Sequence, residues 1–351
     1  MIPDLAYRPT EPTDDRGHLL DLYLPADPRG DRPLILWTGG SGWMRDNGKD
    51  GAGPIAEVFT ARGYAVAGVS IRSSGQGVFP AQLHDIKAAI RWLRSQARQY
   101  RLDPERFTVM GDSSGGWTAA MAALTGGDPT PTGDGDPTPA GNDDGGSVPG
   151  DDGDPTPAGL AGGTDPSSRV QAAVAFYPPT DFLRMDEQML PGACREFNRE
   201  LGITDCHNDP GSPESQLIGG AIQTRPEATG AANPVRYAAR SAPPVLLLHG
   251  QADALVPHGQ SVLLYQALRD AGATVTFYSV PGAGHDWRTV LDPANHDDQR
   301  VYRAHSGRER VTAGRPGPSW DAIDRFIRDA MEARRTSPST ETRHAPDGIV
   351  G

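Results

Sequence analysis

Short apolar segments alternate with amphipathic ones along most of this chain, and no other feature constrains the fold as much. Apolar runs of the length of a buried strand occupy residues 34–37, 64–70, 107–110, 170–177, 245–249 and 275–279. Between them lie segments whose apolar residues are three to four positions apart, as on one face of a helix; these are 55–62, 79–93, 117–124, 261–268 and 320–334. The alternation predicts an α/β fold, with a mostly parallel sheet covered by helices on both faces.

Composition excludes several kinds of partner. The formal net charge of −12 leaves no basic stripe for phosphates, so we expect no nucleic-acid partner. No run approaches the roughly 18 apolar residues of a membrane helix, so we expect no membrane partner. No signal peptide is visible, which predicts a cytoplasmic protein in which Cys194 and Cys206 are free thiols. A disulfide between these cysteines would instead indicate an exported protein.

The sequence predicts one main domain with less regular segments around it. Within residues 126–168 the motif Gly-Asp-Pro-Thr-Pro occurs three times, and the segment has no Lys, Arg or aromatic residue, so we expect a disordered insertion. Its aspartates do not follow the spacing of a calcium-binding loop. The predicted organisation is an extended arm at 1–16, an α/β domain at 17–335 with a lid or pocket segment at 181–244, and a flexible tail at 336–351.

A glycine-flanked serine follows the apolar run at 107–110. The pattern Gly111-x-Ser113-x-Gly115 is that of a nucleophile elbow, in which a serine lies on a tight strand-to-helix turn. Such a turn crowds the positions two before and two after the serine, which therefore need glycine. Ser114 is the rival nucleophile, but Asp112 stands two residues before it. Ser113 is therefore the candidate nucleophile.

A base and an acid are found at the ends of two later predicted strands. Asp253 follows the run at 245–249, and His285 follows the run at 275–279. The carboxyl ends of parallel strands meet at one edge of a sheet, where ligands bind. The chain order Ser113, Asp253, His285 is also the order of the triad in α/β-hydrolases. We therefore predict that these three residues form a Ser-His-Asp triad.

Other acids and histidines in these loops are weaker candidates. Asp286 adjoins His285, but neighbouring side chains point in different directions. His249 and His258 flank the acid, and we expect them to be structural or to lie at the rim of the site. A trypsin-like enzyme is disfavoured because its triad follows the order His, Asp, Ser on β-barrels.

The loop after residues 34–37 offers backbone donors. Its sequence, Gly-Gly-Ser-Gly-Trp at 39–43, can present N–H groups to the oxyanion of an acyl transfer reaction, as can the N–H of Ser114 at a helix N-terminus. A phosphate site is disfavoured because no Walker lysine follows.

These motifs resemble those of α/β-hydrolase esterases, in particular the hormone-sensitive-lipase and BD-FAE (bifunctional feruloyl and acetylxylan esterase) groups. The resemblance covers about residues 17–125 and 168–335. Its motifs are Gly-Asp-Ser-Ser-Gly-Gly at 111–116, Phe-Pro-Ala-Gln-Leu at 79–83, His-Gly-x-x-Asp-x-x-Val-Pro at 249–257 and Gly-His at 284–285. The resemblance implies an α/β-hydrolase fold and serine esterase activity.

The oxyanion loop departs from the family pattern His-Gly-Gly-Gly-Trp. When the loops are aligned on Trp43, Gly39 replaces the histidine and Ser41 replaces the middle glycine. The resemblance then implies that the oxyanion donors are the N–H groups of Ser41, Gly42 and Ser114.

The sequence therefore predicts a serine hydrolase that cleaves carboxylic esters of small or aryl acyl groups through an acyl-enzyme, without a cofactor or metal. The expected substrate is a small-molecule or glycan-linked ester. Trp43 and Trp287 are predicted to line its pocket. Hydrolysis of amides, formamides or peptides, or acyl transfer or cyclisation, would use the same triad and stays an alternative. A catalytically silent binding protein is a further alternative. The sequence makes no prediction about the oligomeric state.

Overall fold

A computed structural model of the protein describes residues 1–9, 15–26, 30–126 and 166–335. Most of the predicted disordered insertion, residues 127–165, lies outside the described residues. The predicted flexible tail at 336–351 also lies outside them.

The described residues form one ten-stranded sheet with the strand order β1-β2-β4-β3-β5-β6-β7-β8-β9-β10. The strands are β1 Ile2–Ala6, β2 Leu19–Tyr23, β3 Arg32–Thr38, β4 Ala65–Val69, β5 Leu102–Asp112, β6 Ala172–Phe176, β7 Val245–Gly250, β8 Val275–Val280, β9 Arg300–His305 and β10 Arg308–Ala313. Neighbouring strands from β4 to β8 are parallel, and the outer strands at both edges pair antiparallel. The predicted α/β fold with a mostly parallel sheet is confirmed.

Helices cover both faces of this sheet. They are α1 Ala52–Thr60, α2 Ala81–Ser95, α3 Ala97–Tyr100, α4 Ser114–Leu124, α5 Met185–Gln188, α6 Ala193–Leu201, α7 Pro213–Ile218, α8 Pro226–Ala231, α9 Gly259–Asp270, α10 Trp287–Leu291 and α11 Trp320–Arg335. Apolar residues of α1 and α11 pack on one face, and those of α2, α4 and α9 pack on the other. No described helix has the length and apolarity needed to span a bilayer.

Strand β3 explains why the central strands are apolar throughout. Leu34 and Leu36 are buried on one face of the sheet, while Ile35 and Trp37 are buried on the other. Burial of such a side chain contributes about 1.5–3 kcal/mol, and a strand covered on both faces gains this at every position. The carboxyl ends of β3, β5, β7 and β8 consequently lie at one fixed edge.

The outermost strands are much less apolar. Strand β1 lies within the predicted arm at 1–16, and β9 and β10 form a hairpin that continues the sheet beyond β8. All side chains of β10 are exposed or half-buried. A charged and exposed edge strand of this kind discourages pairing with other chains, and it lacks the apolar pattern that identifies a buried strand.

The segment at 181–244 crosses the carboxyl edge and contains α5 to α8. Cys194 and Cys206 form a disulfide there, so the expectation of free thiols is wrong. The spacing of the cysteines allowed either state, and the fold places their Cα atoms 5.4 Å apart, which is within bonding range.

Candidate active site

Ser113 lies at the turn between β5 and α4, at the carboxyl edge of the sheet. Its backbone has φ +53° and ψ −125°, which is rare for a residue other than glycine. The Ser113 N–H donates a hydrogen bond to the Phe176 carbonyl at 3.0 Å, which ties the turn to β6. A Cβ atom on Gly115 would collide with the Thr38 carbonyl. The glycine at this position therefore lets α4 start close against the end of β3.

The structure brings the three predicted triad residues together. His285 Nε2 lies 3.0 Å from Ser113 Oγ, and His285 Nδ1 lies 2.7 Å from Asp253 Oδ2. Asp253 is buried, whereas His285 is half-buried. Because the ionised carboxylate only accepts hydrogen bonds, Nδ1 carries a proton and Nε2 of a neutral ring is left to accept one from Ser113.

Asp253 is held by more than the catalytic histidine. Its Oδ1 accepts hydrogen bonds from the N–H groups of Leu255 and Val256, both at 2.9 Å, and its Oδ2 also lies 3.3 Å from His249 Nε2. Burial alone would raise the pKa of the Asp253 carboxyl, but hydrogen bonds from His249 and His285 outweigh it and hold this pKa well below its usual range. The carboxylate is therefore ionised throughout the neutral pH range.

The loop after β3 lies against the nucleophile. A Cβ atom on Gly40 would lie 2.5 Å from Ser113 Cβ, so only glycine fits there. The Ser41 N–H donates to the Ser114 hydroxyl at 2.9 Å. None of the hydrogen bonds among the described residues uses the N–H groups of Gly42 or Ser114. Two of the three predicted oxyanion donors are therefore unoccupied, and the third contacts a neighbouring hydroxyl group.

Two further residues connect the loops of the site and were missed by the sequence analysis. Asp112 accepts hydrogen bonds from the Gly40 N–H at 2.9 Å and from the Tyr177 hydroxyl at 3.3 Å. The Tyr177 hydroxyl accepts one from the Trp287 N–H at 2.9 Å, and its ring centroid lies 4.4 Å from that of His285. Burial raises the pKa of both Asp112 and Tyr177. Their positions in the sequence could have identified them as candidates for the site. Asp112 is in the elbow motif, and Tyr177 directly follows β6 at the carboxyl edge of the sheet.

A cavity of about 220 Å³ opens beside Ser113 and His285. Residues of the loops at the sheet edge line one side, and residues of the segment at 181–244 line the other. The second group consists of Phe197, Glu200, Leu201, His207, Pro213 and Glu214.

The two predicted pocket tryptophans lie in different surroundings. Trp43 lines this cavity, is buried, and packs edge-on against Trp117 and Phe182. Trp287 does not line it; its ring packs against Trp320, with the ring centroids 5.4 Å apart. Trp287 begins α10 and its side chain turns toward α11, so the prediction that it lines the pocket is corrected to a packing role.

A larger cavity of about 700 Å³ lies next to His258 and does not include Ser113 or His285. His258 Nε2 lies 2.9 Å from Ser279 Oγ, and burial lowers the pKa of His258 to about 3. His258 is therefore a neutral, hydrogen-bonded group outside the triad. Among the described residues, no cluster of His, Cys, Asp and Glu has an arrangement suited to a metal ion.

Known proteins with similar sequences include esterases. The BD-FAE family model matches residues 20–268. Esterase LipQ of Mycobacterium tuberculosis (strain ATCC 25618 / H37Rv) is 28% identical to this chain, over 80% of the chain and 56% of LipQ. The chain spans about half the length of the curated relatives it matches.

Solved structures with the same fold include two that cover most of the chain. One is described as a truncated form of carbohydrate esterase from gut microbiota; it aligns with a TM-score of 0.68 and 27% identity over 94% of this chain and 95% of that chain. The propionate-bound esterase Est2 of Thermogutta terrifontis has a TM-score of 0.52 and 22% identity over 81% of this chain and 84% of its own, and it shares the fold. The family model covers well over half of the sequence, and the chain therefore belongs to the BD-FAE family and has the predicted α/β-hydrolase fold.

Proposed function

We propose that this protein hydrolyses carboxylic esters through an acyl-enzyme, with Ser113 as nucleophile, His285 as base and acid, and Asp253 as the group that orients His285. The observation that carries the proposal is the continuous pair of hydrogen bonds through His285, 3.0 Å to Ser113 Oγ and 2.7 Å to Asp253 Oδ2. Membership of a family whose relatives include named esterases supports the same reaction.

The reaction proceeds in two halves. His285 Nε2 takes the Ser113 hydroxyl proton while Ser113 Oγ attacks the ester carbonyl, and the same proton then passes to the leaving alcohol. Water attacks the acyl-enzyme, gives its proton to Nε2, and releases the acid when Ser113 Oγ regains a proton. Asp253 keeps its charge throughout and stabilises the imidazolium form of His285.

The charge that develops on the carbonyl oxygen is stabilised by backbone donors. The N–H groups of Gly42 and Ser114 are unoccupied among the described residues, and the Ser41 N–H can join them when the Ser114 hydroxyl rotates away. Removal of one such donor typically costs a factor of about 100–1000 in kcat. The positive end of the α4 dipole acts in the same direction.

The size of the cavity favours a small acyl group. About 220 Å³ is less than a typical pocket for a drug-sized ligand, which has about 300–1000 Å³.

The relative described as a carbohydrate esterase supports a glycan-linked ester as the natural substrate. The Cys194–Cys206 disulfide supports an oxidising compartment, and hence export, over the cytoplasm.

The direct test compares p-nitrophenyl acetate turnover by the wild type and by Ser113→Ala. We expect kcat to fall at least about 1000-fold, because removal of one triad member disables the whole unit. Ser95→Ala, which removes an exposed hydroxyl from α2, is the matched control. A fluorophosphonate probe should label the wild type at Ser113. Turnover that persists in Ser113→Ala would contradict the proposal. A substrate panel with amides and acyl acceptors would distinguish ester hydrolysis from amide hydrolysis and acyl transfer, which would use the same triad.

A further inference from the structure

Helix α6 forms part of the wall of the Ser113 cavity, yet it buries little of its own surface. Phe197, Glu200 and Leu201 lie on this helix and line the cavity. Of its nine residues, only Ala193 and Phe197 are buried. Because the burial of apolar side chains is what normally holds a helix on a fold, α6 needs another attachment to keep its position.

The disulfide supplies this attachment. Cys194 lies on α6 and is bonded to Cys206, twelve residues further along the chain. Two weaker contacts lie beside the bond: the Cys206 N–H donates to Asn198 Oδ1 at 2.8 Å, and the ring centroids of Phe197 and His207 are 4.3 Å apart. The helix is therefore fastened to the turn that contains Cys206 and His207.

That turn is itself firmly held. The His207 N–H donates to Asp186 Oδ1 at 2.9 Å, and the His207 carbonyl accepts a hydrogen bond from the Ser212 hydroxyl at 2.7 Å. The side chain of His207 is buried and lies 3.0 Å from Glu214 Oε2. The disulfide therefore joins a mostly exposed helix to a fixed part of the segment at 181–244.

The opposite wall of the cavity cannot move without a loss of catalysis. It consists of the loops that carry the oxyanion donors, the nucleophile and the base, and it includes Gly42 and His285. Helix α6 has no part in the triad. It begins after Gly192 and ends before Gly202, and glycine tolerates changes of backbone angle at such points. Helix α6 is therefore the wall that can move to admit a larger group.

We infer that α6, held against the cavity by the Cys194–Cys206 disulfide, limits the size of the acyl group that Ser113 accepts, with Phe197 and Leu201 as the residues that set the limit. This inference rests on the proposed ester hydrolysis at Ser113. With the disulfide intact, the cavity of about 220 Å³ takes short acyl groups. With the disulfide reduced, α6 moves away in part of the population, and longer acyl groups gain access.

The experiment measures the ratio of kcat/KM for p-nitrophenyl acetate to that for p-nitrophenyl hexanoate, which share a leaving group and differ in acyl length. The wild type is assayed oxidised, and again after reduction with a trialkylphosphine that is removed under anaerobic conditions. The phosphine becomes its oxide with the oxygen of one water molecule, and both sulfurs become thiols with its two protons. We expect the oxidised protein to prefer acetate, and reduction to lower the ratio by about tenfold.

Variants separate the disulfide from other effects of the reductant. The chain has two cysteines, so Cys194→Ala with Cys206→Ala should show the low ratio with or without phosphine. Leu201→Ala shortens an exposed side chain of the wall and should lower the ratio in the oxidised protein without disturbing the core. Leu190→Ala is the matched control, because Leu190 is an exposed leucine of the same segment that lines the larger cavity instead. Its ratio should stay within twofold of wild type.

The outcomes separate the two proposals. An oxidised wild type without preference for acetate, or a ratio that stays within twofold on reduction, would overturn the size limit alone, provided that Ser113→Ala is inactive. An equal loss of activity on both esters after reduction would also overturn it, because the disulfide would then support the whole site. Activity that survives in Ser113→Ala would overturn the proposed reaction instead.

Discussion

The hydrogen bonds of Asp253 predict what its replacement by asparagine will do. Oδ1 accepts from the N–H groups of Leu255 and Val256, so the amide oxygen of Asp253→Asn must take this position. Its NH₂ group then lies where Oδ2 was, 2.7 Å from His285 Nδ1. Two donors cannot face each other, so His285 must carry its proton on Nε2, where it cannot accept the proton of Ser113.

The wrong tautomer disables the base without disturbing the fold. We expect kcat/KM for p-nitrophenyl acetate to fall by a factor of about 1000–10,000, or about 4–5.5 kcal/mol of transition-state stabilisation. The melting temperature should change far less than the rate. A loss of less than tenfold would refute the assignment of Asp253 as the orienting acid.

Asp286→Asn is the matched control, because it makes the same substitution next to His285. Asp286 accepts a hydrogen bond from the Arg288 N–H at 2.8 Å and caps α10, and asparagine caps helices about as well. The rate should therefore stay within about threefold of wild type. If Asp286→Asn were instead the damaging change, Asp286 would be the acid.

Three other predictions follow from individual contacts. Gly40→Ala should lower kcat at least about 100-fold, because its Cβ would lie 2.5 Å from Ser113 Cβ and displace the loop or the nucleophile; p-nitrophenyl acetate turnover measures this. Replacement of Cys194 and Cys206 by alanine should lower the free energy of unfolding in urea by about 3 kcal/mol, as expected for a 12-residue separation. The pKa of His258 is about 3 in the folded state and 6.5 ordinarily. As the pH falls below 6.5, the unfolded chain binds a proton at His258 that the folded protein does not bind. The free energy of unfolding therefore falls between pH 6.5 and pH 3. The wild type should therefore lose about 2 kcal/mol more than His258→Asn between pH 7 and 5.

Each of these has a control or a contrary result. Gly53→Ala, in α1, places a Cβ where nothing lies within 4 Å and should leave turnover unchanged. Equal unfolding free energies with and without the cysteine pair would show that the disulfide does not restrain the unfolded chain. Parallel pH profiles for the wild type and His258→Asn would show that another group dominates acid destabilisation.

The strands and the triad candidates could be identified in the sequence because both depend on simple geometry. A central strand is buried on both faces, so it is a continuous apolar run, and the residues after such runs share one edge. This is how Ser113, Asp253 and His285 were placed on neighbouring loops although they are up to 172 residues apart. The BD-FAE family model and the solved esterase structure confirm the predicted family resemblance and fold class.

Other features depend on information that local patterns lack. Strand β10 has no buried side chain, β9 buries only Val301 and Ala304, and the hairpin carries four arginines, so it has little of the periodicity of a buried strand. The contact between the Ser41 N–H and the Ser114 hydroxyl depends on a side-chain rotamer. His207 lies in an irregular segment, where no repeat indicates which side chains face the cavity.

Helix α4 has a consequence beyond the position of Ser113. It starts at the carboxyl edge and runs back to the opposite edge, where Gly126 follows the helix and Arg169 lies shortly before β6. A Cβ atom on Gly126 would lie 3.4 Å from Arg169 Cα, so the chain leaves and returns at nearly the same point. A connection between such close ends tolerates changes in length at a small entropic cost. This point can therefore accept a reporter, an affinity tag or a whole second domain on the side of the molecule away from the catalytic loops.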